Sequence, residues 1–302
     1  MTISRSTIVK SCILAAAVGV AGVRAPGAAA QPAPRVPVVA DLGGILNGDT
    51  DDTLAFTSDG DTVFFDRSLG ATKYVMVSHR RDGHWAQPEL AAFSGRWFDQ
   101  NPVVSPDGTY LIFDSDRPTQ PGGPPLVQSY FGRPNPGSNL WKVKRVGDQW
   151  GEPQWLGPVI NDSAFIDSPS IAADGSVYFL RVDQGRVHIF RSQFRDGAYL
   201  PAQRVAIGDA AVTTHDPAVA PDESFIVFDY GKVKNGLGRL SIAFRQGDHW
   251  SRPIDLGDEV NQDIPWSPHL GPDHRTVYFT GATHSWRLSL EPWLAAGASG
   301  NR

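Results

Sequence analysis

An aspartate-centred turn that recurs at nearly fixed intervals sets the tightest limit on what this chain can fold into. It stands as Ser58-Asp59-Gly60, Pro106-Asp107-Gly108, Ala173-Asp174-Gly175, Pro221-Asp222-Glu223 and Pro272-Asp273-His274. The intervals are 48, 67, 48 and 51 residues, so one repeat carries an insertion and the others nearly agree. Five residues before the aspartate stands Pro102, Pro169, Pro217 or Pro268, with Leu54 as the departure. A short apolar strand follows each turn: Thr62 to Phe65, Tyr110 to Phe113, Val177 to Phe179, Phe225 to Phe228 and Thr276 to Phe279. Asp-Gly suits a tight connection that needs positive φ, so each unit reads as a β-hairpin.

A second signature follows inside each repeat, where a turn leads to an aromatic and then to Pro. It reads Asp82-Gly83-His84-Trp85 to Pro88, Gly147-Asp148-Gln149-Trp150 to Pro153, Asp196-Gly197-Ala198-Tyr199 to Pro201, and Gly247-Asp248-His249-Trp250 to Pro253. Each repeat therefore holds four short strands. A lone four-stranded sheet has two apolar faces that only neighbouring sheets can cover, and periods of about 40 to 50 residues mark β-propeller blades. The fold class is all-β, a single propeller over residues 31–302. Its blades fall near 50–97, 98–162, 163–211, 212–262 and 263–296. The fifth repeat lacks an outer strand. Asp41-Leu42-Gly43 with Asn47 repeats the spacing of Asp255-Leu256-Gly257 with Asn261, so a strand within 36–43 is expected to close the last blade. Five blades result, with six as the alternative.

The run Phe113-Asp114-Ser115-Asp116-Arg117-Pro118, then Asn139-Leu140-Trp141, Gln149 to Pro153, Leu156-Gly157, Ile160-Asn161 and Ser168-Pro169 resembles the WD40-like Pro-Asp repeat. That repeat builds the propellers of the TolB-like periplasmic proteins. The resemblance covers nearly all of the chain after its leader. It implies the propeller fold and, by analogy, a protein partner in the cell envelope.

The leader itself has Arg5 and Lys10, an apolar run from Cys12 to Val23, and Ala28-Ala29-Ala30 before Gln31, the pattern of a cleaved signal peptide over residues 1–30. The run falls short of the roughly 20 residues that span a bilayer. A periplasmic or secreted, monomeric protein is expected, without cysteine once Cys12 is removed. Taking away the leader's three basic residues leaves 24 Lys and Arg against 32 Asp and Glu, which argues against nucleic acid as a partner.

In an up-and-down blade both repeated turns lie at one end of the ring. The opposite end, the channel mouth, collects the segments that lead into each blade and the loops between second and third strands. The lead-in segments carry Asp51 and Asp52, Asp99 and Asn101, Asp167, His215 and Asp216, and Asp263 with Trp266. Such carboxylates can form a polar funnel for a hydroxyl-rich or cationic ligand, or bind a structural Ca²⁺ through Asp51, Asp99, Asp167 and Asp216. They can equally cap their own turns. The long interval places an inserted loop over 117–139 on the same side, read as an extended flap bearing Tyr130, Phe131 and Arg133. The corresponding loop of the fourth repeat, with Lys232 and Lys234, is basic.

No nucleophile elbow, phosphate-cradling loop or zinc-protease motif appears in the sequence. Two functions are therefore expected in competition. One is a non-enzymatic module that binds an envelope protein or an oligosaccharide through the mouth and the inserted loop, with no cofactor. The other is a carbohydrate-active hydrolase or lyase, for which Asp99, Asp216 and His215 are the catalytic candidates.

Overall fold

A computed structural model describes residues 36–48, 50–130, 133–231 and 238–300. The repeats fold into a five-bladed β-propeller of antiparallel sheets. The innermost strands are Asp51–Phe56, Asp99–Val104, Ile166–Ile171, Thr214–Val219 and Trp266–Leu270. Each pairs with a second strand, Thr62–Leu69, Tyr110–Ser115, Val177–Asp183, Phe225–Tyr230 or Thr276–Thr280. Third strands and two-residue outer strands complete the sheets. In the fifth blade the outer strand is Val38–Val39, which pairs with Ser285–Ser289 and brings Val38 opposite Arg287. The expected closure of the ring by the N-terminal strand is therefore present.

Period-two alternation explains how these sheets hold together, because successive residues of a strand face opposite neighbours. Leu111 and Phe113 pack against Phe64 and Val75 of the first blade, whereas Ile112 packs against Ile171 and Phe179 of the third. Val63 and Phe65 turn toward Tyr278 of the fifth blade. The remaining boundaries are filled by Ile226 and Phe228 against Tyr178, and by Val277 and Phe279 against Val227. Each boundary between blades thus has its own apolar cluster, and the ring has no uncovered sheet face to bury elsewhere. Trp150 meets Phe64 edge-on at 5.1 Å, which places this repeated tryptophan between the first and second blades.

The recurring aspartate is explained by a local hydrogen bond. In every repeat its Oδ1 accepts the backbone N–H two residues on: Asp61 at 2.9 Å, Thr109 at 3.1 Å, Ser176 at 2.8 Å, Ser224 at 3.0 Å and Arg275 at 3.0 Å. This is an Asx turn. The residue after it has positive φ even where it is Glu223 or His274 rather than glycine. Asn161 and Asn261 have a comparable structural role. Each bonds both backbone groups of a third-strand residue, Leu140 or Leu240.

Two helical segments depart from the all-β expectation. One turn spans Asp258–Asn261, and a helix spans Glu291–Gly300. Trp293, 2% exposed, inserts from the latter into the cluster between the fourth and fifth blades. The inserted loop also differs from the extended flap expected: it forms its own hairpin, Val127–Tyr130 against Arg133–Pro136.

Candidate functional site

At the mouth, each innermost strand makes the same irregularity. The register with the second strand shifts just after Asp52, Gln100, Asp167, His215 and Trp266. The next residue in each case, Thr53, Asn101, Ser168, Asp216 or Ser267, has φ between 46° and 58°. A left-handed residue in a strand turns its side chain out of the ladder, as β-bulges do. Two tiers of side chains follow: a rim set before the bulge and a bulge set at it. All five rim residues line one cavity of about 400 Å³, and so do the bulge residues other than Thr53.

The bulge set is joined around the axis by hydrogen bonds. Thr53 Oγ1 donates to Asn101 Oδ1 at 3.2 Å, and Asn101 Nδ2 donates to Asp167 Oδ1 at 2.7 Å. Ser168 Oγ reaches Asp216 Oδ1 at 2.8 Å, and Ser267 N donates to Asp216 Oδ2 at 3.2 Å. The side chains thus fix one another's geometry across blades before any ligand arrives.

Below the rim lies a tier of carboxyls absent from the sequence-based candidates. Across from Asp52, Gln100 and His215 the second strands place Asp66, Asp114 and Asp229, each 1% exposed or less. In each, Oδ1 is buried without a hydrogen-bond partner. Burial pushes Asp66 up to about 6, against the opposing pull of the Lys73 ammonium. Burial, reinforced by the charge of Asp216, pushes Asp229 up to about 7. Asp114 rises well above the ordinary carboxylate range, from burial and then from Asp167 beside it. These carboxyls hold protons where exposed ones would not. An aspartate directly after the second-strand aromatic, in Phe65-Asp66, Phe113-Asp114 and Phe228-Asp229, was the sequence signal for them.

Of the residues singled out from sequence, Asp52, Asn101, Asp167, His215, Asp216 and Trp266 come together at the cavity. Asp51 and Asp99 do not. Each precedes its rim residue by one position and so faces the opposite side of the strand. Asp51 is held by Arg67 through two bonds of 2.7 and 2.6 Å, and Asp99 by Arg117 at 2.7 Å with Ser94 and Ser115. Both carboxylates are buried and held in ion pairs, and neither lines the cavity. Asp263 is also away from the cavity, bonded to Trp286 Nε1 at 2.9 Å. The four carboxylates proposed for Ca²⁺ do not converge. Among the described residues no three His, Cys, Asp or Glu side chains form a group that could hold a metal.

The inserted hairpin leans over the mouth. Gln128, Asn135 and Pro136 line the cavity, and Gln128 Nε2 donates to Pro136 O at 2.8 Å. Tyr130 and Arg133 pair through their backbones; their side chains, and Phe131, lie outside the described residues, as do Lys232 and Lys234. Lys73, Phe98, Phe165 and Gln100 complete the polar and aromatic wall, and sequence reasoning did not select them. No helix among the described residues is long and apolar enough to cross a membrane.

No protein-family profile matches the chain, and no curated protein matches it. Solved structures do. A putative TolB from Agrobacterium tumefaciens superposes with a TM-score of 0.50 at 15% identity, over 78% of this chain and 71% of that one. TolB from Acinetobacter baumannii gives 0.52 at 14% identity, over 81% of this chain and 56% of that one, so the present chain spans just over half of its length. What the chain shares with these proteins is the β-propeller fold.

Proposed function

We propose that this protein is an exported binding module whose channel mouth takes a hydroxyl-rich ligand, an oligosaccharide segment. The observation that carries this reading is the convergence of one rim residue from each of the five blades on one cavity. A purely structural repeat would need no such variety at an equivalent position. Here it holds a carboxylate, an amide, a second carboxylate, an imidazole and an indole. Carboxylate and amide oxygens accept from sugar hydroxyls, amide N–H groups donate to them, and an indole face stacks on a sugar ring. At about 400 Å³ the cavity falls within the range of small-ligand sites. The leader sequence supports export, and the protein acts as a monomer in this reading.

The test is a panel of neutral and charged oligosaccharides, with Trp266→Ala and Gln100→Ala as mouth variants and Val146→Ala, exposed at the opposite end, as control. Binding that falls roughly tenfold in the mouth variants and not in the control supports the reading. No binding to any glycan ends it.

The enzymatic alternative draws on Asp167 and Asp216, which both line the cavity within reach of the Ser168 hydroxyl, at 3.2 and 2.8 Å. With Asp99 sealed against Arg117, only Asp216 and His215 remain of the original catalytic candidates at the cavity. Release of reducing ends from a bound oligosaccharide, lost in Asp216→Asn, would establish hydrolysis.

A further inference from the structure

Resting on that mouth reading, we propose that the bound segment is the end of an oligosaccharide chain. Its terminal sugar lies against the walls of the first three blades, and the next unit leaves over Trp266.

The mouth has a floor. Three positions after the rim residue, the innermost strands place Ala55, Val103, Ser170, Ala218 and His269, and these line a separate chamber of about 60 Å³ toward the turn end. No residue lines both that chamber and the mouth cavity. Between the two lie the bulge residues, bonded across four of the five blade boundaries: Thr53 to Asn101, Asn101 to Asp167, Ser168 to Asp216 and Ser267 to Asp216. His269 is the largest of the five residues beneath, and its Nδ1 lies 3.2 Å from Ser267 O, which fixes it to the underside of that layer. A chain that enters the mouth therefore cannot continue along the axis.

The walls above the rim differ in height. Across from the rim residues of the first, third and fifth blades stand Asp66, Leu180 and Thr280. The first blade's strand runs three residues further, to Leu69, and the third blade's to Asp183, before each turns back. At about 3.3 Å per residue this is roughly 10 Å of strand beyond the rim. The cavity reaches up both walls, because Lys73, opposite Ser68, and Val187, opposite Val182, line it from two residues above rim level. In the second blade the inserted hairpin does the same through Gln128, Asn135 and Pro136. The fifth blade has no such wall. Its second strand ends at Thr280, level with the rim, and Ser285 opposite it already begins the return strand. This blade gives the cavity only Trp266 and Ser267.

Three contiguous blades are thus walled, and the fifth forms a low lip that carries an indole. In a ring of five, walled blades stand opposite both the fourth and the fifth. A chain crossing the mouth meets a wall on the far side whatever the height of the fourth-blade loop over 232–237, which lies outside the described residues. A terminal sugar fits such a recess better than an internal one, since it has one more free hydroxyl for the amides and carboxylates inside. At the lip, the indole face is placed to stack on the ring that follows.

Titration calorimetry of the purified protein with maltotriose and amylose, laminaritriose and laminarin, and xylotriose and linear xylan reads the binding mode from stoichiometry. One protein per chain is expected for trimer and polymer alike in whichever series binds, because each chain offers one end that fits. An adamantyl group on one end of the trimer is expected to weaken binding roughly tenfold or more, and on the other end to leave it unchanged. Both readouts use the unaltered protein, so neither depends on a variant that folds. Several proteins on one polymer chain overturn the chain-end inference and leave the mouth reading standing, and so does a trimer that binds with either end blocked. A trimer that fails with either end blocked overturns the open lip at Trp266. Binding of none of these chains, nor of any other oligosaccharide in the panel, overturns both readings.

Discussion

Ser168 Oγ donates to Asp216 Oδ1 at 2.8 Å, a bond between the bulge of one blade and the bulge of the next. Ser168 has φ of 48°, an uncommon conformation for a residue with a side chain. The strained backbone and the bond belong together, because only the turned-out side chain reaches the neighbouring blade. Replacing Ser168 with alanine keeps the strain and loses the bond, and is expected to lower stability by about 1–2 kcal/mol. Glycine relieves the strain and so is expected to cost less than alanine. Urea denaturation of both variants checks the order.

Arg117 is 7% exposed and Asp99 is fully buried, so their ion pair cannot be broken without leaving a charge in the interior. Arg117→Met is expected to destabilise by about 3–5 kcal/mol, and the double variant with Asp99→Asn to recover a substantial part of this. The midpoints of urea unfolding for the single and double variants give the comparison. Equal losses in both would contradict the pairing.

The raised carboxyls contribute a pH dependence of their own. Asp229 titrates near 7 in the fold, against about 3.9 when unfolded, so between these values the native state holds more protons than the unfolded state. Its contribution is fully present below about pH 4 and is lost as pH rises toward 7. Asp66, near 6, acts in the same direction. Asp59, Asp107, Asp222 and Asp273 are shifted down and act the other way, below about pH 4. Burial holds His188 and His269 below the ordinary imidazole value, and their contributions rise with pH over this range, so the comparison is a difference: the stability of the unaltered protein relative to Asp229→Asn is expected to fall from pH 4.5 to pH 7.5. Unfolding midpoints across this range measure it, and an unchanged slope in the variant would refute the assignment.

Ring closure depends on two residues of strand and on Ala40 N, which donates to Ser285 O at 2.8 Å. A chain lacking residues 36–41 leaves Ser285–Ser289 as an open edge, and open edges pair with other chains. Light scattering is expected to show concentration-dependent association of the truncated protein, with a lowered melting temperature.

The ring was legible in the sequence because its determinants are local and repeat. Asp107 bonds Thr109 two residues away, and Asp-Gly turns and alternating apolar residues are visible at a glance. The mouth was legible only in part. Its direction followed from strand count, and Asp52, Asp167, His215, Asp216 and Trp266 line the cavity at that end. Which of two adjacent aspartates faces inward depends on the bulge register, and that is set by pairing with a distant strand. Asp51 and Asp99 lie away from the cavity for this reason, paired with Arg67 and Arg117. Lys73 and Asp66 were missed because their meaning lies in a contact between strands, with no local motif to mark it. Trp293 gave no signal because its helix packs by tertiary burial.

On the proposed function, the five rim residues form a single binding surface. Titration of the tightest-binding oligosaccharide into the unaltered protein, Trp266→Ala and Asp52→Asn tests it most directly, since these residues come from the fifth and first blades. Both variants are expected to stay folded and each to weaken binding roughly tenfold or more. Unchanged affinity in both would contradict it.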